Sequence, residues 1–252
     1  MNRLRAGMIV LSVAAAVLLI GATGVRAEET LSAKLDPSGL VRVVAGEVAV
    51  EVATVDLNAH GPGWKHAPQA GATARVSDLP DQAGKRVVGV LPVPGTDGGA
   101  LEFTETVKTL PQGFRLEYEV GVNQAMKLNG LQVSILLPVA RYAGKELVIT
   151  RPDDDEPSVA TLPLEQREET PQVWAGAGSK IEVATGTDQA ITIELLAAAD
   201  IVIQDLRKWD QPVFEIRFPA IMEDPGRVVA AEDKFHLNLT VTFAGPVKLT
   251  GP

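Results

Sequence analysis

Two of the three histidines, His60 and His66, fall within the segment NAHGPGWKHAPQAG (58–71), with Trp64 and Lys65 between them and Asp56 just upstream. Imidazoles beside an aromatic ring in a Gly/Pro-rich segment have the composition of a binding loop. With Asp56 as a third ligand the pair could hold zinc, but the spacing corresponds to no established ligand pattern. A surface loop whose Trp64 folds back over a sheet edge is the plainer reading. A second cluster, DLRKWDQP (205–212), sets Asp210 beside Trp209. An indole can stack on the apolar face of a pyranose while a carboxylate bonds its hydroxyls; the competing reading is an Arg/Asp ion pair with Trp209 capping the core. Trp174 in PQVWAGAG has the same two readings. His236 lies on the polar side of a strongly alternating segment, where a residue of a concave sheet face would sit. His60, Trp64, His66, Trp209, Asp210 and His236 are therefore the candidate ligand-binding residues. Asp153, Asp155 and Glu156 in RPDDDEPS (151–158) offer carboxylates to calcium but lack the spacing of an EF-hand loop, and a solvated charge run is the default.

Other chemistries lack their residues. There is no cysteine, hence no disulfide framework, thiol nucleophile or Cys-based metal site. No G-x-S-x-G elbow and no Gly-rich phosphate loop occurs. Carboxylates are plentiful, but no pair is singled out for glycoside hydrolysis. No cofactor is implied.

The elements that must position these residues read as strands. In GFRLEYEVGVNQAMKLNGLQVSILLPVARYAGKELVIT (113–150), Phe114, Leu116, Tyr118 and Val120 alternate with charged residues, the mark of a strand with one buried face. The run 131–137 is nearly all apolar and Pro138 ends it, so it is expected to be an inner strand covered on both faces. The stretch is thus expected to hold a long antiparallel pair plus a third strand, and to be the structural centre rather than the functional one. Segments 40–44 and 48–57 read as a hairpin, followed by a long loop over 58–71. Residues 72–77, 85–91, 101–107, 213–218 and 235–243 are further strand candidates, and 219–231 reads as irregular. No segment of ten residues beyond the N-terminus has convincing helical periodicity. Many short strands separated by Pro/Gly turns predict an all-β fold, a large antiparallel two-sheet sandwich with little or no helix, formed by residues 28–252 as a single domain.

Residues 1–27 read as a signal peptide. Arg3 and Arg5 precede an apolar run over 8–20, and Val25-Arg26-Ala27 offers a cleavage site. The run is short for a membrane span. The expected location is therefore exported, periplasmic or extracellular, with no stable membrane insertion after cleavage. Loss of the three leader arginines takes the formal charge from −9 to −12. So acidic a chain, without a Lys/Arg cluster, disfavours nucleic acid as a partner.

The order of parts resembles the galactose-mutarotase-like supersandwich of exported bacterial proteins. The likeness is carried by GLVRVVAGEVAVEVATV, the segment ending in GPGW, the strands ALEFTETV and FRLEYEVGV, and the RFP strand near the end. It implies a β-sandwich linked to carbohydrate processing; no position is matched to that family's catalytic His and Glu. The expected function is a non-catalytic exported protein that binds a glycan or another envelope protein. The alternatives are a carbohydrate-active enzyme (lyase, hydrolase or epimerase) acting on a concave sheet face, and a structural envelope protein. Expressed in a bacterium from Met1, the exported product is expected to begin Glu28-Glu29-Thr30 on N-terminal sequencing; a product that retains residues 1–27 overturns the cleavage expectation.

Overall fold

The computed structural model describes residues 30–80, 83–152 and 154–252. The segment read as a signal peptide lies outside the described residues, as does Asp153. Sixteen strands follow one another among the described residues: β1 (Leu31–Leu35), β2 (Val41–Ala45), β3 (Val50–Gly61), β4 (Lys65–Pro68), β5 (Thr73–Asp78), β6 (Gly84–Pro92), β7 (Ala100–Leu110), β8 (Gly113–Val122), β9 (Met126–Pro138), β10 (Glu146–Thr150), β11 (Ser158–Thr161), β12 (Gln172–Val183), β13 (Ile191–Asp205), β14 (Val213–Val229), β15 (Lys234–Phe243) and β16 (Val247–Thr250). One helical turn, α1 (Val139–Tyr142), and 3-10 turns at Gln69–Gly71 and Leu206–Trp209 complete the set. Among the described residues no helix is long and apolar enough to cross a membrane.

The all-β expectation holds. The strands form one continuous curled sheet, in the order β16-β1-β2-β3-β9-β14-β13-β15-β8-β7-β6-β5, with β4 on β3 and β10–β12 branching from β13. Pairing is antiparallel throughout this ladder except for β1 with β16, so the sheet is mixed. β13 is the corner strand. Its end, Val202–Asp205, pairs with β14, whereas its beginning, Ile191–Leu195, pairs with β15.

The core lies between the two halves so joined. Leu57, Leu131, Val133, Ile135, Leu137, Phe214, Ile216 and Phe218 are buried on one side, and Phe103, Val107, Phe114, Leu116, Tyr118 and Val120 on the other. All belong to one hydrophobic cluster. Burying each such side chain contributes roughly 1.5–3 kcal/mol.

The central stretch divides differently from the sequence expectation. β8 and β9 are consecutive but unpaired; β8 lies between β7 and β15, and β9 between β3 and β14. The break at 123–125 is where the chain crosses between halves. The segment 58–71 is no loop: His60 pairs with His66 and Asn58 with Pro68 in a β3–β4 hairpin. Nor is 219–231 irregular, since β14 continues along β9 to Val229 through two register shifts. In both segments Gly and Pro suggested a break, yet hydrogen bonding to an adjacent strand kept the backbone extended.

A polar network crosses the core near β3. Gln69 is fully buried. Its Oε1 accepts from the Leu57 amide at 2.8 Å, its Nε2 donates to Glu105 Oε2 at 2.8 Å, and its own amide donates to Asp56 Oδ1 at 2.9 Å. These bonds fill the gap where β3 has left β2 and not yet met β4. Gly39, at φ 94, backs onto the network; a Cβ there would stand 2.5 Å from Glu105 Oε2. Only glycine combines that φ with that space.

Glu105 is wholly enclosed, and burial pushes its carboxyl from 4.5 to about 8, with Gln69 and Tyr118 opposing as hydrogen-bond partners. The unfolded chain loses this proton near pH 4.5 and the folded chain near pH 8. The folded form thus binds more protons between these values, and stability must fall as pH rises through them. Denaturant unfolding from pH 4.5 to 8 is expected to show a greater loss of stability in the parent than in Glu105→Gln, whose residual slope combines the fall due to Asp56 with the rise due to His60 and His66. Identical slopes in the two proteins would refute the assignment.

Candidate functional site

The face of β3, β9 and β14 that turns away from the core carries polar side chains, because the pleat sends alternate residues to opposite sides. Register aligns them in rows. Asp56, Ser134 and Arg217 form one row on β3, β9 and β14; Thr54, Leu136, Glu215 and Gln204 form the next, which reaches β13. Together with the β3–β4 hairpin and the 3-10 turn after β13, this face encloses a cleft of about 520 Å³.

Glu215 lies at its middle and is almost fully buried. Arg217 Nε donates to Glu215 Oε2 at 2.6 Å, and Ser134 Oγ donates to Oε1 at 2.7 Å. Gln132 Nε2 adds a longer contact of 3.5 Å. A buried carboxylate so bonded is fixed in position and charge-compensated. The central strand β9 therefore has two roles: Leu131, Val133 and Ile135 fill the core, while Gln132 and Ser134 hold the cleft's carboxylate.

One wall is the hairpin. His60 and His66 stack with centroids 5.1 Å apart, and Trp64 meets His60 edge-on at 5.5 Å. His66 Nε2 donates to Asn58 Oδ1, which leaves Nδ1 as the lone-pair nitrogen of a neutral ring. Burial holds His60 down at about 4, with His66 and Arg217 adding to the effect. Burial also lowers His66, Glu215 opposing it and Arg217 reinforcing it. Asp56, on the floor, is pushed up to about 7, mainly by burial. Trp64 itself adopts φ 60 next to Gly63 at φ 72. A bulky residue in the left-handed region is an outlier that costs on the order of 1–2 kcal/mol, and such strain concentrates at functional positions. Gln69, directly after β4, anchors the hairpin's base.

The facing wall is the turn Leu206–Trp209. Arg207 holds it: the guanidinium bonds Asp205 at 2.6–3.1 Å, donates to the carbonyls of Leu164 and Pro163 at 2.7 and 2.9 Å, and lies over the Phe214 ring at 5.4 Å. Asp205 also caps the turn by accepting from the Arg207 amide. The expected Arg/Asp pair is thus present, yet Trp209 does not cap the core; it is 51% exposed and lines the cleft, with Gln211 nearby.

Of the residues singled out by sequence, His60, Trp64, His66 and Trp209 converge on this cleft. Asp210 does not line it; it ends the 3-10 turn in the left-handed conformation, exposed. His236 is exposed on β15 in register with Glu119, outside the cleft. Asp155 and Glu156 are exposed, and Arg151 pairs with Asp154. No group of three or more His, Cys, Asp or Glu that could hold a metal ion occurs among the described residues. His60, His66 and Asp56 form no such group either. Trp174 packs against the core rather than lining the cleft.

Glu215, Arg217, Gln204 and Asn58 were missed. The signal for the first two was VFEIRFP, where two opposite charges stand at i and i+2 between Phe214, Ile216 and Phe218. Charges in that phase must share the face opposite the core.

No protein-family model matches the chain, and no curated protein matches its sequence. Solved structures do. A galactose mutarotase-like protein from Lactobacillus casei superposes with a TM-score of 0.51 at 12% identity, covering 82% of this chain and 94% of that one. The Slr1438 protein of Synechocystis sp. gives 0.47 at 10% identity, covering 82% and 88%. The first likeness shows that the chain has the galactose mutarotase-like fold.

In an NMR titration His60 is expected to protonate near pH 4 and His66 below the ordinary histidine value of 6.5. Protonation of His60 at or above 6.5 would contradict its burial, and of His66 the desolvation of its ring stacked on His60.

Proposed function

We propose that this chain, which has the galactose mutarotase-like fold, binds a carbohydrate in the cleft between Trp64 and Trp209. The observation that carries the reading is the convergence of two partly exposed indoles over a floor of polar side chains supplied by four neighbouring strands. Trp64 is 38% and Trp209 51% exposed. Aromatic faces take the apolar side of a sugar ring, and Asn58, Gln204, Gln211, Glu215 and Arg217 supply donors and acceptors for hydroxyls. The strained backbone at Trp64 fits this reading, since nothing in the hairpin turn itself calls for an indole there. The signal-like leader fits a role outside the cytoplasm, on glycans met there.

A second reading is favoured by one observation. The Glu215 carboxylate shares the cleft with two histidines, His60 buried and His66 at the exposed edge, both held below the ordinary histidine value chiefly by desolvation. Such groups can exchange protons with a sugar hydroxyl and ring oxygen, as opening and closing an aldose ring requires. On this reading the protein is an epimerase acting at the anomeric carbon.

Trp64→Gly separates structure from function. Glycine relieves the left-handed strain, so unfolding stability is expected to stay within about 1 kcal/mol of the parent. Saccharide-induced change in tryptophan fluorescence is expected to weaken at least tenfold. Unchanged saccharide binding would sink the proposal. For the second reading, anomer interconversion of glucose and galactose is followed by NMR exchange; acceleration by the parent that is lost in Glu215→Gln supports it, and no acceleration rules it out.

A further inference from the structure

The elements that carry the two tryptophans, on facing walls of the cleft, lie at opposite corners of the sheet face that floors it. Trp64 lies just past Gly61, the last residue of β3, and Trp209 lies just past Asp205, the last residue of β13. β3 and β13 are separated by β9 and β14, which is three inter-strand spacings, or about 14 Å at ~4.8 Å each. They are also displaced along the strands. Gln204 is in register with Glu215, Leu136 and finally Thr54. Thr54 is seven residues short of Gly61, about 23 Å at ~3.3 Å per residue. A monosaccharide is shorter than this diagonal, even when each indole reaches inward. The polar groups are strung along the same diagonal: Asn58 and His66 beside Trp64, Glu215 and Arg217 in the middle, Gln204 and Gln211 beside Trp209. At the far end Gln204 Oε1 is buried without a hydrogen-bond partner among the described residues. An unpaired buried acceptor on a cleft wall is costly unless a bound group donates to it. It lies where a group beyond the reach of a ring seated at Trp64 would have to sit.

We infer that the cleft takes an oligosaccharide of at least two linked sugar units, with Trp64 and Trp209 as separate stacking platforms and Gln204 accepting from a hydroxyl of the unit at Trp209. The inference rests on the carbohydrate reading above and adds the size class of the ligand. The covalent link between units is what makes two platforms useful. Once one ring is seated, the second binds at high effective concentration, so affinity climbs with chain length until both platforms are covered.

The test is calorimetric titration with glucose, galactose and xylose and with their cello-, malto-, galacto- and xylo-oligomers of two to four units. In at least one series affinity is expected to rise tenfold or more from the monosaccharide to the trimer and then level off. Trp209→Ala and Gln204→Leu are each expected to flatten that rise, lowering affinity for the trimer by more than affinity for the monomer. Circular dichroism melts establish that both variants fold. Equal affinity for monomer and trimer in every series that binds, or a length dependence untouched by both substitutions, overturns the inference and leaves the carbohydrate reading standing. If no member binds, both fall.

Discussion

A one-residue slip of β14 against β9 would exchange the two faces of this protein. Phe214, Ile216 and Phe218 would leave the core, and Glu215 and Arg217 would enter it. The fold and the cleft therefore depend on the same constraint, the period-two pleat of β3, β9 and β14. One set of alternate side chains fills the interior, and the other forms the floor. The apolar set enforces the register, because shifting it would expose several large side chains at roughly 1.5–3 kcal/mol each. The polar set inherits its alignment. Asp56, Ser134 and Arg217 share a row because Leu57, Val133 and Phe218 pack beneath them.

The walls need a different device, since hairpins and turns carry little core of their own. Each is held by one side chain with several partners. Gln69 ties the base of the β3–β4 hairpin to Leu57, Asp56 and Glu105, and Arg207 ties the turn bearing Trp209 to Asp205 and to the carbonyls of Pro163 and Leu164. Both clamps are polar and substantially enclosed. A buried polar group that keeps its partners fixes one geometry, whereas loss of one partner leaves the others unsatisfied at about 1–3 kcal/mol each. The indoles are thus displayed by elements that have little freedom to drift. Burying His60 in this wall, with the more exposed His66 stacked on it, lowers the proton affinity of both rings, through desolvation more than through any charged neighbour.

Much of this was legible in advance, in proportion to how local its cause is. The strands at 114–122 and 235–243 announce themselves by strict alternation, and the pairing of β7 with β8 follows from a short turn. His60, Trp64, His66 and Trp209 stood out by their side-chain chemistry, and all four line the cleft. Glu215 was hidden for a physical reason: a charged residue in a strand has the same local pattern whether its face meets solvent or lines a cleft. Glu105 was hidden likewise, although its phase with Leu101, Phe103 and Val107 places it inward. His236 marks the opposite case. Its strand alternates as cleanly as β14, but its polar face looks to solvent, away from the cleft.

The sequence by itself determined the all-β class, most strand positions, the absence of thiol chemistry and a set of aromatic and imidazole residues suited to a ligand. Those depend on composition and on near neighbours along the chain. Only the tertiary structure decided which of these residues meet. β3, β9 and the consecutive pair β13–β14 are far apart in sequence, and their adjacency is set by how the curled sheet closes around its core. It is that closure, not any local motif, that brings Trp64 and Trp209 to opposite corners of one cleft with Glu215 between them.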